Sequence, residues 1–214
     1  MIPEAHRKHL AEELTEKLGD PVKLVLFTQE VECPHCVQTR TLIQELSSLN
    51  QKIKFEVYDL IADSAKTKEY SVDKVPAVAI IGRKDYGLRF YGFPYGYEFK
   101  TLIEGLIAAS RGATDLPEDI KRELKALTSP VRIQVFVTLT CPYCPAVAAT
   151  AYKFAVESAL VTADVVDVSE FPHLGLKYGV MGVPKTVIND KVEFVGAMPE
   201  DIFLEYVLLA AHSQ

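Results

Sequence analysis

Among its 214 residues the chain has no tryptophan, two asparagines, three methionines and four cysteines. It has no run approaching 18 uninterrupted apolar residues, so no membrane-spanning helix and no membrane partner are expected. The opening Met1-Ile2-Pro3-Glu4-Ala5-His6-Arg7-Lys8-His9 has no apolar segment and no small-residue cleavage site, so no secretory signal is read and the cytoplasm is the expected compartment. Lysines and arginines do not cluster; they are scattered among acids, as in Lys121-Arg122-Glu123, and the net charge is −6. Nucleic acid is therefore excluded as an expected partner, since its phosphates call for a basic patch. Scarce asparagine is a trait of heat-adapted chains. What remains is an ordinary globular composition, 49% hydrophobic and 24% charged.

In the cytoplasm thiols are mostly kept reduced, so four cysteines read as catalytic or metal-binding before they read as staples. They form two pairs, Cys33/Cys36 and Cys141/Cys144, offset by 108 residues. Val75-Pro76 and Val183-Pro184 recur at the same offset, as do Asp59 and Asp167, and Tyr70 and Tyr178. Upstream of the cysteines the offset becomes 110, matching Val25-Leu26-Phe27-Thr28 to Val135-Phe136-Val137-Thr138. Two extra residues therefore lie in the first half around Glu30-Val31-Glu32. One register with one small insertion marks an internal repeat. The chain divides into two homologous units, 1–114 and 115–214, joined near Gly112-Ala113-Thr114-Asp115.

Each unit opens with a helix: Leu10, Leu14 and Leu18 in the first, Ile120, Leu124 and Leu127 in the second. An apolar run follows, Lys23–Thr28 or Val131–Thr138, as expected of a strand buried on both faces. The cysteine pair comes next, then a helical pattern. In the second unit that pattern (Val147, Ala151, Phe154, Ala155, Ala159) is small and apolar almost all round, which predicts a well-buried helix. A second strand (Ile53–Tyr58; Ala163–Val168) and a short helix (near Lys66–Tyr70; Leu174–Tyr178) precede Val-Pro. A hairpin (Ala77–Ile81 with Leu88–Tyr91; Lys185–Ile188 with Val192–Val195) and an amphipathic helix close each unit. The order α-βαβ-α-ββ-α predicts an α/β fold: two tandem units, each a mixed four-stranded sheet flanked by helices, with an extra N-terminal helix per unit.

Cys-Pro-x-Cys at a strand-to-helix turn, Val-Pro 43 residues after the first cysteine, and a ββα tail resemble the thioredoxin/glutaredoxin superfamily. Two such units in one chain resemble the glutaredoxin-like protein disulfide oxidoreductases of thermophiles, and the resemblance covers nearly the whole chain. It implies thiol–disulfide exchange on protein substrates, with Cys33 and Cys141 attacking and Cys36 and Cys144 resolving. It also implies that Pro76 and Pro184 are cis-prolines facing the cysteines, with the backbone of Val75 and Val183 meeting substrate. No cofactor beyond the redox-active disulfides Cys33–Cys36 and Cys141–Cys144 is expected. A monomer is expected, recharged by a thioredoxin-reductase-like flavoenzyme. Reduction, oxidation and isomerisation all stay open, because direction depends on potential relative to the compartment.

The residues suit that chemistry. The thiolate is the nucleophile, and unpaired N–H groups with the dipole of a helix N-terminus favour negative charge there. Pro34 and Pro142 are expected within the first helical turn. The two sites should differ. His35, between Cys33-Pro34 and Cys36, brings positive charge that would lower the Cys33 pKa, while Glu30 and Glu32 oppose it. Cys141-Pro142-Tyr143-Cys144 has no acid within five residues on either side. Leu24–Phe27 and Val135–Val137 contain no acid, so the strand-borne proton acceptor of thioredoxins is missing and the proton path is unassigned. Asp59 and Asp167 read as strand-end turn formers first and proton carriers second. Tyr91-Gly92-Phe93-Pro94-Tyr95-Gly96-Tyr97 reads as a packed loop near the first site.

Two other classes compete. Zinc knuckles space their cysteine pairs by tens of residues on glycine-rich hairpins, whereas here each pair opens a helix and 104 residues separate the pairs. A dedicated dithiol carrier between a flavin reductase and a peroxidase is the stronger rival. His6, His9, His173 and His212 are assigned no role.

Overall fold

Leu24, Val25, Leu26 and Phe27 are all fully buried, so the strand that carries them is covered on both faces. They lie in β1 (Val22–Thr28), inside a first unit ordered α1 (Glu4–Lys17), β1, α2 (Cys36–Ser48), β2 (Ile53–Asp59), α3 (Ser64–Glu69), β3 (Ala77–Ile81), β4 (Asp85–Tyr91) and α4 (Glu98–Arg111). The second unit repeats the order with α5 (Glu118–Lys125), β5 (Val131–Val137), α6 (Cys144–Glu157), β6 (Val161–Asp167), α7 (Pro172–Lys177), β7 (Lys185–Ile188), β8 (Val192–Val195) and α8 (Glu200–His212). This computed structural model describes residues 1–212.

The element order is the one the repeat predicts, including the helix that opens each unit. Alternate strand residues sort to opposite faces, as a two-residue period requires. Leu24, Leu26, Val78, Ile80, Leu88 and Phe90 join Ile133, Val135 and Val165 in the larger core, with α2, α4, α6 and α8. Val25, Phe27, Ala77, Ala79 and Tyr91 face the other way, into a smaller core with Tyr70, Val166 and Phe171. Ala148, Ala151, Phe154 and Ala155 are buried, so α6 is the covered helix its composition predicts.

One feature goes beyond what the repeat predicts. The two four-stranded sheets are a single sheet of eight, in the order β2-β1-β3-β4-β6-β5-β7-β8. The join is a parallel pairing of β4 with β6, from Leu88 opposite Ala163 to Tyr91 opposite Val166. Helix α6 packs on α4 over this join, and the Tyr152 hydroxyl donates to the Arg89 carbonyl (2.9 Å).

The join sets where chemistry can occur. β1 runs parallel to β2, antiparallel to β3, and so parallel to β4; β4, β6 and β5 are then parallel in turn. The carboxyl ends of β1 and β5 therefore lie on the same edge of the sheet. Four strand spacings separate them, roughly 19 Å.

Candidate redox sites

Each cysteine pair sits where β1 or β5 gives way to α2 or α6. Both pairs are disulfide-bonded, with Cα–Cα separations of 5.4 Å for Cys33–Cys36 and 5.5 Å for Cys141–Cys144. The helices begin at the second cysteine of each pair. Pro34 and Pro142 therefore lie in the turn before the helix, not within its first turn as expected. The turn forms because the two residues between the cysteines bend the chain until the sulfurs meet. Pro145, the second residue of α6, is tolerated because no intrahelical N–H bond is needed there. The Cys144 N–H donates to Cys141 Sγ (3.2 Å), one of the unpaired donors at the start of α6 turned onto sulfur. That contact favours charge on Cys141 when the pair is reduced.

The Val75-Pro76 and Val183-Pro184 peptides are both cis. Their loops are pinned alike: Gly92 N–H donates to the Pro76 carbonyl and Gly196 N–H to the Pro184 carbonyl (2.8 Å each). Cys141 Sγ lies 3.8 Å from the Val183 carbonyl oxygen, which brings the second cysteine pair and its Val-Pro together.

The two sites have different surroundings. Cys33 is half-buried and Cys141 buried, and Cys36 and Cys144 are both buried. Glu30 and Glu32 are exposed. His35 precedes α2 directly and stacks on Phe93 (centroids 5.8 Å apart), which stacks on Tyr95 (5.1 Å). The aromatic loop is thus packed at the first site. His35 Nδ1 faces Glu170 Oε2 at 3.3 Å, a partner from the other unit.

Buried carboxyls lie outside the two strands that lead to the cysteines. Glu98 opens α4, fully buried, with Oε2 accepting from the Thr101 hydroxyl (2.8 Å) and Oε1 without a partner. Burial pushes its carboxyl up to about 7, with the nearby Asp167 charge adding to the rise. Next to it, the Tyr97 N–H donates to the Leu139 carbonyl (3.1 Å), in the segment that leads into Cys141. That bond ties the residue before Glu98 to the second unit's cysteine loop. Gly96 has φ +59°, and a Cβ there would lie 2.5 Å from the Leu139 oxygen, so only glycine allows this approach.

Asp59 and Asp167, paired by the repeat, have diverged. Asp59 accepts from the N–H groups of Ile61 (2.9 Å) and Ala62 (2.8 Å), which hold its carboxyl below the usual range. It is the turn former expected. Asp167 also accepts from a turn N–H, of Ser169 (3.0 Å), but it is fully buried and its Oδ2 has no partner. Burial raises its carboxyl, against the Ser169 bonds and the His35 charge. Among the described residues no group of three or more His, Cys, Asp or Glu side chains is placed to hold a metal ion.

Comparison with known proteins places this architecture. A family model described as "Thioredoxin domain" matches twice, over residues 23–104 and 131–209. The chain belongs to the thioredoxin family. A solved protein disulfide oxidoreductase from Aeropyrum pernix K1 superposes on this family member with a TM-score of 0.93 at 32% identity, covering 100% of this chain and 95% of that one. The alkylhydroperoxide reductase AhpF of Enterococcus faecalis V583, solved as a C503A mutant, gives a TM-score of 0.89 at 28% identity over 96% of this chain and 99% of that one. The alkyl hydroperoxide reductase AhpF of Pseudomonas aeruginosa is 24% identical over 183 residues, 86% of this chain. The chain spans 33% of that relative's length. With two tandem thioredoxin units and two such cysteine pairs, this thioredoxin-family chain is an oxidoreductase.

Proposed function

We propose that the protein catalyses dithiol–disulfide exchange on polypeptide substrates at both cysteine pairs. The observation that carries this reading is that each pair opens a helix at the carboxyl end of a parallel strand, with a backbone N–H on Cys141 Sγ in the second. In the reducing direction, the Cys33 or Cys141 thiolate attacks a substrate disulfide. One Cys–substrate disulfide forms and one substrate thiolate leaves. Cys36 or Cys144 then attacks the Cys33 or Cys141 sulfur, the mixed disulfide breaks, and the second substrate thiolate leaves. Two electrons and two protons pass to substrate, and the intramolecular disulfide is restored. Oxidation runs these steps in reverse, and isomerisation interrupts them at the mixed disulfide.

Val75, Pro76, Val183 and Pro184 form the shelf against which substrate backbone lies beside the sulfurs. Val31, Val37, Tyr95, Tyr97, Tyr143 and Met181 are large apolar side chains left in solvent on the segments around the two pairs, which fits a polypeptide substrate. Glu98 takes the proton that Cys144 must lose before it attacks. Residues 1–114 and 115–214 act as the two thioredoxin units, in a cytoplasmic monomer.

A second reading has its own support. Likeness to the alkyl hydroperoxide reductase AhpF favours a dithiol carrier served by a flavoprotein reductase. Reduction of insulin, a generic disulfide substrate, separates the two, since a dedicated carrier reduces its partner and leaves insulin intact. The reading as a whole is tested by equilibrating the protein across a glutathione/dithiothreitol series, trapping thiols and quantifying each cysteine peptide by mass spectrometry. Both pairs are expected to titrate reversibly between about −120 and −270 mV, the span of thioredoxin-like proteins. Pairs that stay unreactive across the series overturn the reading.

A further inference from the structure

The first redox site is not completed by its own unit. His35, the residue between Pro34 and Cys36, turns Nδ1 to Glu170 Oε2 (3.3 Å), in the turn after β6 of the second unit. The other oxygen, Oε1, accepts from the Phe93 N–H (2.7 Å), and Phe93 is the ring on which His35 stacks. One carboxylate thus accepts from the backbone of the loop and faces the imidazole, whose buried Nδ1 makes no hydrogen bond in this arrangement. The Glu170 side chain is 9% exposed, while that of His35 is 44% exposed, so the anchor is fixed in protein and the ring it faces reaches solvent. Asp167 stands behind, close enough for its carboxyl to feel the His35 charge. Gly92 lets the loop pass over it: φ is +116°, and a Cβ there would come within 2.8 Å of the Asp167 Cβ.

We propose that Glu170 is a positioning residue for the first site, holding the His35 ring and its loop beside Cys33 and so setting the reactivity of Cys33 from the opposite unit. The proposal rests on the dithiol reading above. The contact is an ion pair when the ring carries its second proton, and burial raises the Glu170 carboxyl against the His35 charge and the Phe93 N–H. A positive ring two residues from the attacking sulfur favours the thiolate. The groups around the ring are the Glu170 carboxyl from the turn after β6, the Phe93 face from the loop after β4 and, at longer range, the Asp167 carboxyl at the end of β6. Glu30 and Glu32 precede Cys33 on its own loop and are exposed. Glu98 lies beyond Asp167, whose charge raises its carboxyl. Of these, only Glu170 forms an ion pair with the ring among the described residues.

The test is the pH dependence of alkylation of the reduced, full-length protein, followed separately for the Cys33 and Cys141 peptides. Glu170→Gln is expected to raise the half-reaction pH of Cys33 by about half a unit, threefold less thiolate at fixed pH, and to leave Cys141 unmoved. In a His35→Gln background the same substitution is expected to add nothing. Glu170→Asp keeps the charge but withdraws it by one methylene; it is expected to shift Cys33 the same way by less, and it serves if the glutamine variant does not fold. No shift at Cys33, an equal shift at Cys141, or an undiminished shift without His35 overturns the proposal. Failure of both pairs to behave as dithiols in wild type would instead overturn the dithiol reading itself.

Discussion

The two units share an element order and a cysteine spacing, yet corresponding positions have been put to different uses. Asp59, half-buried, caps a turn, and Asp167 at the matching place is fully buried. The helix that ends the first unit opens with Glu98, buried and half-unpartnered. The helix that ends the second opens with Glu200, held by Lys153 near the surface (3.1 Å). The cause is the β4–β6 join. It covers the last helix of the first unit and the β6 turn of the second, and it leaves Glu200 and Asp59 at the matching places only half-buried. A duplicated fold need not remain two copies of one site, since fusion alone gives each copy a different dielectric.

Removing one nucleophile at a time puts the largest strain on this comparison. Cys33→Ser and Cys141→Ser should each abolish exchange at their own site by roughly a thousandfold or more and leave the other pair titrating, as site-resolved thiol trapping would show. Loss of both activities from either substitution would mean that the sites act as one relay.

Glu98 gives the next effect. Glu98→Gln should slow the second site roughly a hundredfold above pH 7 and spare the first, measured by single-site turnover in the Cys33→Ser background. The wild-type rate there should climb as pH rises through about 7, where the carboxyl becomes able to accept a proton, and the variant should lose that rise. Stability moves oppositely. Glu98 ionises near 4.5 when unfolded and about 7 when folded. Below 4.5 both states are protonated and stability is whole; as pH climbs to 7 only the unfolded state releases its proton, and stability falls by about 3 kcal/mol. Unfolding midpoints of Glu98→Gln should stay flat over that window.

The smallest effects should have opposite signs at repeat-related positions. Asp167→Asn should stabilise the fold at neutral pH, because it removes a charge that burial disfavours and keeps an acceptor for Ser169. Asp59→Asn should destabilise it slightly, and the difference should vanish as pH falls below the ordinary aspartate range and the wild-type carboxylate is lost. Urea midpoints of the two variants at pH 7 decide this; shifts of the same sign would mean that the environments differ less than their burial indicates.

Hydrophobic period and the repeat carried the element order, because both are local patterns written twice. The pairing of β4 with β6 left no trace at that level. Leu88–Tyr91 looks the same at an edge as in the middle of a sheet, and Arg89, its one charge, is folded back onto Asp85 (2.6 Å). The cysteines and Val-Pro pairs were legible because their spacing is their chemistry. Glu98 was not, because an acid in the first turn of a helix is ordinary on a surface. Its burial comes from α6 and the loop before Cys141, far along the chain. Glu170 was hidden in the same way, in a Ser-Glu-Phe-Pro turn that reads as solvent-facing. The expectation that His35 acts on Cys33 named no partner for the ring, and Glu170 Oε2 stands 3.3 Å from its Nδ1.

The eight-stranded sheet also works as a ruler. Had a loose tether joined the units, the two disulfides would meet a partner at any separation and any angle. Here their spacing is counted in strands, and hydrogen bonds fix each graduation. About six extended residues of a bound polypeptide cover the interval. A partner that engages both marks must therefore carry its own cysteines at a matching gauge, and one that does not must let go and turn before its second encounter.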